Sequence, residues 1–358
     1  MAEQYCAIEY DLAGDFGLTH NFFVPEKRVE PDVLPAGTFR SDWLALDAIK
    51  SQVAMAFESS AFGGKPGQRL HYALINDEAD SSGLTLINLH WGGRFHNNPE
   101  VCDTMAELVA TNPDKRFLVY DNPGSGLSDP LPKALSRELS QTGRFDDYAA
   151  IVMDGLGKVL QNYDELDVLG RSQGGLVATE LAAQIDHIES LVVFDPPGTP
   201  TRVLSFLRAY MFRERLHARK YSEHISGMTG AEYVDDTTWR SIFKEYKAEI
   251  VNGSLKTRYQ QPIGLAKGQY SQALKVALPH ISGAYVFLSP SGSELNDLAV
   301  TRSTIAQAVT GAGRLPRLVD QLVFSGSHAF GYGNPRAVPA LESYASNYVN
   351  ALGSDKRA

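Results

Sequence analysis

Gly170-Arg171-Ser172-Gln173-Gly174, extended by Gly175, sets a hydroxyl among glycines where the apolar run LDVL gives way to the helix-like pattern LVATELAAQI. A serine buried for packing needs no such relief from crowding; a serine at the apex of a sharp strand-to-helix turn does. There, side chains two places to either side would strike the neighbouring strand or helix. Gly170 and Gly174 remove them and leave Ser172 Oγ standing at the strand tip. The first N–H groups of the following helix point toward any negative charge developing there, and that of Gln173 comes first. A serine hydroxyl is a weak nucleophile at neutral pH unless a base takes its proton. His328, in the small-residue run SGSHAFG, belongs to a loop rather than to an apolar face and is the candidate base. His90 is read as packing under its own loop, and His217 and His224 as part of a helical insert.

Around these residues the sequence follows an alternating rhythm. RLHYALIN and LTLINLHW read as strands and PEVCDTMAELVAT as a helix; RFLVYD is the next strand. FDDYAAIVMDGLGKVLQNY brings Tyr148, Ile151, Val152, Leu156, Val159 and Leu160 to one face at helical spacing. LDVLG, a helix to about Gln184 and LVVFD come next. Short β-rich runs alternating with helical stretches indicate βαβ units around a mostly parallel sheet. From about Pro200 to Leu278 the alternation breaks into aromatic-rich, mostly helical sequence. It resumes with AYVFL, a helix over about 295–309, LVDQLVF and a last helix over about 338–352. The expected organisation is an N-terminal extension over 1–65, partly helical and packed on the core. The core then runs over 66–198 and 281–358, interrupted by a helical cap over 199–280. Ligands of open α/β sheets bind at the carboxyl ends of the strands, where such an insert can form a roof.

The chain's 358 residues are 43% apolar and 21% charged, enough for a large core and unlike a disordered tail. A net charge of −9 with no Lys/Arg block argues against nucleic-acid and anionic-membrane partners. Cys6 and Cys102, the two cysteines, form neither a disulfide framework nor a metal-site spacing. The first residues carry early acids and no apolar core of a signal peptide, and no window approaches the ~18 apolar residues of a membrane span. A cytoplasmic protein acting on a small-molecule substrate is expected, without cofactor or metal. A homodimer stays open.

At this point the chain resembles the α/β-hydrolase superfamily from about Gln68 to its end, most of the insert excepted. Four features in order carry the resemblance. They are His90-Trp91-Gly92-Gly93 after the LTLINL strand, DNPGSGLSD over Asp121–Asp129, the turn around Ser172, and His328 after the last apolar strand. The resemblance implies an α/β-hydrolase fold, with a mostly parallel central sheet flanked by helices and a helical cap insertion. It implies Ser172 as nucleophile and His328 as general base. For the oxyanion it implies the N–H of Gln173 together with one from the His90 loop, Gly92 first and Trp91 second. It also implies a carboxylate that orients His328. The usual family place follows the AYVFL strand, where SPSGSELND offers Glu294, ranked first, and Asp297, ranked third. The other family place, at the end of the preceding strand, holds Asp195 in LVVFDPPG, ranked second.

The activity so implied is hydrolysis of a small or medium ester, thioester or amide through an acyl-enzyme. Relatives with an aspartate nucleophile, such as epoxide hydrolases and haloalkane dehalogenases, are set aside by Ser172, and a metallohydrolase by the lack of HExxH. A hydrolase-like binding protein without catalysis is the alternative, motivated by the irregular acid position and by Arg171 inside the turn. In the insert, Thr201–Lys220 carries six basic residues and one acid. These are read first as a solvated face and second as a source of arginines, Arg208 or Arg213, that bind an anionic substrate group.

Overall fold

The computed structural model describes residues 8–11, 19–23, 38–41, 43–65, 67–79, 83–88, 95–199, 263–267, 269–328, 341–342 and 344–349. In chain order the elements are β1 (Ile8–Asp11), β2 (Thr19–Phe22), β3 (Thr38–Ser41), α1 (Trp43–Glu58), β4 (Ala61–Gly63), β5 (Leu70–Ile75) and β6 (Gly83–Asn88). Then come α2 (Pro99–Thr111), β7 (Arg116–Tyr120), α3 (Lys133–Thr142), α4 (Asp146–Leu160), β8 (Glu165–Arg171), α5 (Gln173–Ala182) and β9 (Ile188–Phe194). The described chain closes with α6 (Tyr270–Ala277), β10 (Ile281–Pro290), α7 (Leu298–Gly311), β11 (Leu318–Phe324) and a last helix within 341–349.

Nine strands form one sheet in the order β2-β11-β10-β9-β8-β6-β7-β5-β4, and β1 pairs with β3 apart from it. The six strands from β11 to β7 run parallel; β5 pairs antiparallel with β7 and β4 antiparallel with β5 at one edge, and β2 pairs antiparallel with β11 at the other. The continuous apolar runs follow from burial on both faces. Successive residues Leu86/Ile87, Leu118/Val119, Val168/Leu169 and Val286/Phe287 are all buried and fall into two separate core clusters. One cluster gathers α1, α2 and the last helix; the other gathers α4, α5, α6 and α7. This is the expected α/β-hydrolase architecture.

Two boundaries differ from expectation. The stretch assigned to a cap ends inside the core, because α6 turns Tyr270, Ala273, Leu274 and Ala277 inward at helical spacing against α5 and α7. The remaining expected cap helices, with Arg208 and Arg213, lie outside the described residues. The N-terminal extension also does more than pack on the core, since it supplies edge strands β2 and β4. Among the described residues no helix is long and apolar enough to cross a membrane.

Candidate active site

At the C-terminal end of β8 the chain makes its turn. Ser172 has φ +51°, a left-handed conformation that costs a non-glycine residue on the order of 1–3 kcal/mol. Its N–H donates to Phe194 O at 2.9 Å, and its carbonyl accepts from Gly175 N at 2.9 Å, so the turn is tied to β9 on one side and opens α5 on the other. The glycines are required by contact. A Cβ on Gly174 would lie 2.0 Å from Asn88 O, and one on Gly170 would lie 2.6 Å from the Ala178 Cβ. Asn88, the last residue of β6, is itself locked by amide hydrogen bonds to Tyr120 Oη (2.6 Å) and Asn122 Oδ1 (2.9 Å).

His328 follows β11 and brings its Nε2 within 3.0 Å of Ser172 Oγ. Its Nδ1 lies 2.7 Å from Asp195 Oδ2. An ionised carboxylate can only accept, so Nδ1 carries the ring proton. Nε2 of the neutral ring is then an acceptor directed at the serine hydroxyl. Asp195 is 1% exposed and the His328 side chain 15%, which leaves the ring a path to solvent and the carboxylate none. Like Ser172, Asp195 sits at positive φ (+41°) at a strand tip, with its N–H donating to Leu288 O at 2.9 Å.

This geometry corrects the ranking of the carboxylates. Glu294 ranks first by the resemblance, but the geometry sets Asp195, ranked second, on Nδ1 of His328 and Ser172 on its Nε2. Asp297, the third candidate, accepts from Ala299 N (2.9 Å) and Val300 N (3.1 Å) and is the N-cap of α7. The loop after β10 contributes instead two neutral residues that sequence reasoning missed. Ser293 Oγ donates to Asp195 Oδ2 at 2.7 Å, and Asn296 Nδ2 donates to Asp195 Oδ1 at 2.7 Å. Their signal in the sequence is that small polar residues, Ser293 and Asn296, stand beside Glu294 and Asp297 in the stretch where the resemblance implies an acid.

Gln173 opens α5 directly after Ser172, which puts its N–H at the helix N-terminus beside the serine. The loop His90–Gly93, with Trp91 and Gly92, lies outside the described residues. Arg171 ends β8 with its guanidinium carbon 5.0 Å from the centre of the Phe194 ring, a buried cation–π contact. Among the described residues no group of three or more His, Cys, Asp or Glu side chains is arranged to hold a metal ion.

A second serine–histidine–aspartate alignment exists in the fold. Ser60 Oγ lies 2.5 Å from His71 Nε2, and His71 Nδ1 lies 2.6 Å from Asp121 Oδ2. Helix polarity separates the two. Ser172 precedes the N-terminus of α5, where the helix dipole favours negative charge; Ser60 follows the C-terminus of α1, where it opposes it. Asp121 moreover accepts from Phe95 N (2.8 Å) and Leu127 N (2.9 Å), and His71 stacks on Phe95 with centroids 4.8 Å apart. This cluster therefore pins the 121–129 turn to the sheet edge.

A family model described as alpha/beta hydrolase family matches residues 83–341. No curated protein matches the chain by sequence. Among solved structures, the enol-lactonase from Burkholderia xenovorans LB400 is 16% identical with a TM-score of 0.53, the match covering 81% of this chain and 100% of that one. An esterase from Exiguobacterium antarcticum is 11% identical with a TM-score of 0.52, covering 81% and 99%. The 2-hydroxy-6-oxo-6-phenylhexa-2,4-dienoate hydrolase from Rhodococcus sp. strain RHA1 is 13% identical with a TM-score of 0.51, covering 80% and 98%. At these identities the likeness is one of fold.

Proposed function

The chain belongs to the alpha/beta hydrolase family, and from that premise we propose that it is a serine hydrolase cleaving a small or medium ester, thioester or amide through an acyl-enzyme on Ser172. The observation that carries this reading is the unbroken chain of two hydrogen bonds from Ser172 through His328 to the buried Asp195. In the first half-reaction Ser172 Oγ attacks the carbonyl carbon while His328 Nε2 takes its proton. The imidazolium so formed is stabilised by Asp195, which stays ionised. Negative charge on the carbonyl oxygen is met by the Gln173 N–H at the start of α5, with a second donor from the His90–Gly93 loop, Gly92 before Trp91. Collapse of the tetrahedral species expels the alcohol, thiol or amine, which receives the proton from His328. Water then repeats the sequence on the acyl-enzyme and releases the acid.

The alternative of a binding protein without catalysis drew on the irregular acid position. With Asp195 against His328 that motive weakens. Arg171, the other motive, is taken up by its contact with Phe194. The test is hydrolysis of short-chain p-nitrophenyl esters with a pre-steady-state burst approaching one equivalent per chain. Ser172→Ala and His328→Ala should each lower kcat by ~10³-fold or more with the fold intact. Equal turnover by wild type and Ser172→Ala overturns the proposal.

A further inference from the structure

Resting on the serine-hydrolase reading, we infer that the loop after β10 is a clamp for the triad carboxylate, with Ser293 and Asn296 as positioning residues that tune how tightly His328 holds its second proton. The order of strands creates the need. Ser172 follows β8, Asp195 follows β9 and His328 follows β11, so the histidine must reach its carboxylate across the end of β10. The loop after β10 lies between the strands that carry the two residues and hydrogen-bonds to both oxygens of the carboxylate.

The loop is stitched to both sides. Toward β11, Ser291 N–H donates to Phe324 O at 2.8 Å and Gly292 N–H to Gly326 O at 2.7 Å, two residues short of His328. Toward β9, the two side chains divide the carboxylate between them, Ser293 on Oδ2 and Asn296 on Oδ1. Neither is free to turn away. Ser293 Oγ also accepts from Leu295 N (3.1 Å) and Asn296 N (3.2 Å), which leaves its one proton directed at Asp195. Asn296, 3% exposed, has every amide group assigned. Nδ2 donates to Asp195 Oδ1 and to Pro196 O (2.8 Å), while Oδ1 accepts from the Thr199 hydroxyl. Two carbonyl-type acceptors on one side and a hydroxyl donor on the other fix the amide in a single orientation.

The consequence is electrostatic. Each donor places positive charge against Asp195 and offsets part of its field at His328. Removing a donor leaves the carboxylate charge less compensated, so the imidazolium is held more strongly and the base is protonated up to a higher pH. The acid limb of the rate profile therefore moves up. Among the described residues, Arg171 at the end of β8 and Glu294 and Asp297 after β10 are other ionisable groups at this end of the strands, and every variant keeps them.

The experiment follows the second-order rate of phosphonylation by a fluorophosphonate from pH 5 to 9 in wild type, Ser293→Ala, Ser293→Thr and Asn296→Ala, with thermal melts to establish folding. Release of the carboxylate lets it and the His328 ring drift from the serine, and misplacement of that kind predicts about a ten- to hundredfold slower reaction at neutral pH for the two alanine variants. Their acid limb should rise by about half a pH unit or more. Ser293→Thr, which keeps the hydroxyl, should stay within about threefold of wild type with its limb unmoved. Ser293 is only part-buried, so its alanine variant is expected to fold and the test stands even if Asn296→Ala does not. Slower reaction with an unmoved acid limb in folded Ser293→Ala overturns the clamp alone. A wild type that resists the reagent overturns the serine-hydrolase reading and the clamp together.

Discussion

The three candidate acids can be separated by replacing them singly. Asp195→Asn keeps the shape but presents an amide donor to Nδ1–H, forcing the ring toward the wrong tautomer. A fall in kcat of about 10³–10⁴-fold on a p-nitrophenyl ester is expected. Glu294→Gln should stay within a few-fold of wild type. Asp297→Ala removes the cap of α7 and costs about 1 kcal/mol in stability while leaving kcat nearly unchanged, which a denaturant titration beside the assay will show. A large loss at Glu294 instead of Asp195 contradicts the site as described. The serine and its glycines were legible in the sequence because they solve a purely local problem. The acid was not, since its identity depends on how β9, β10 and β11 lie side by side. Asp195 in FDPPG reads equally well as an ordinary turn residue, and only the crossing from β11 over β10 makes it the partner of His328.

At the scale of the element, α5 carries two testable features. Its entry depends on the absence of side chains: Gly174→Ala drives a methyl group against the Asn88 carbonyl, a backbone atom with no room to yield. That variant should lose more than ~3 kcal/mol or fail to accumulate as folded protein, whereas an alanine at Gly157, where a Cβ meets nothing within 4 Å, should be neutral or mildly stabilising. Further along, burial and then the charge of Asp146 push the Glu180 carboxyl up to about 7 from its ordinary 4.5. An acid whose folded value is raised binds its proton more tightly in the native state. Its contribution to stability is complete below the unfolded value and is lost as pH rises through the folded one. Glu180→Gln should therefore melt with wild type near pH 4 but be more stable at pH 8, by at most ~3 kcal/mol; identical melts at pH 8 refute this. The core strands were readable as apolar runs because both faces are buried. α6 reads as part of the insert because its inward stripe, Tyr270, Ala273, Leu274 and Ala277, lies at the end of an aromatic-rich stretch, and its packing against α5 and α7 is what marks it as core.

The whole molecule is closed at one edge by a strand that sequence pattern did not reveal. β2 is four residues, THNF, without apolar alternation, and its pairing with β11 joins positions some 300 residues apart. What fixes it is polar. Asp320 of β11, fully buried, accepts from Asn21 N at 3.0 Å and lies 2.7 Å from His20 Nδ1. Removing residues 1–22 strips both groups from a buried carboxylate and uncovers the β11 edge. A loss on the order of 3 kcal/mol and a tendency to associate through that edge are expected. Thermal melting and size-exclusion chromatography of the truncated chain check both, and an unchanged melt contradicts the clasp. Because β11 leads directly to His328, the truncated chain that still folds should also show a lower value of the proposed hydrolytic activity.

The most direct test of the central claim is where a fluorophosphonate forms its covalent bond in the native protein. Intact-mass measurement followed by peptide mapping should find one adduct per chain, on Ser172, retained in Ser60→Ala and absent from Ser172→Ala. An adduct on Ser60, or none on a folded wild-type chain, contradicts the account.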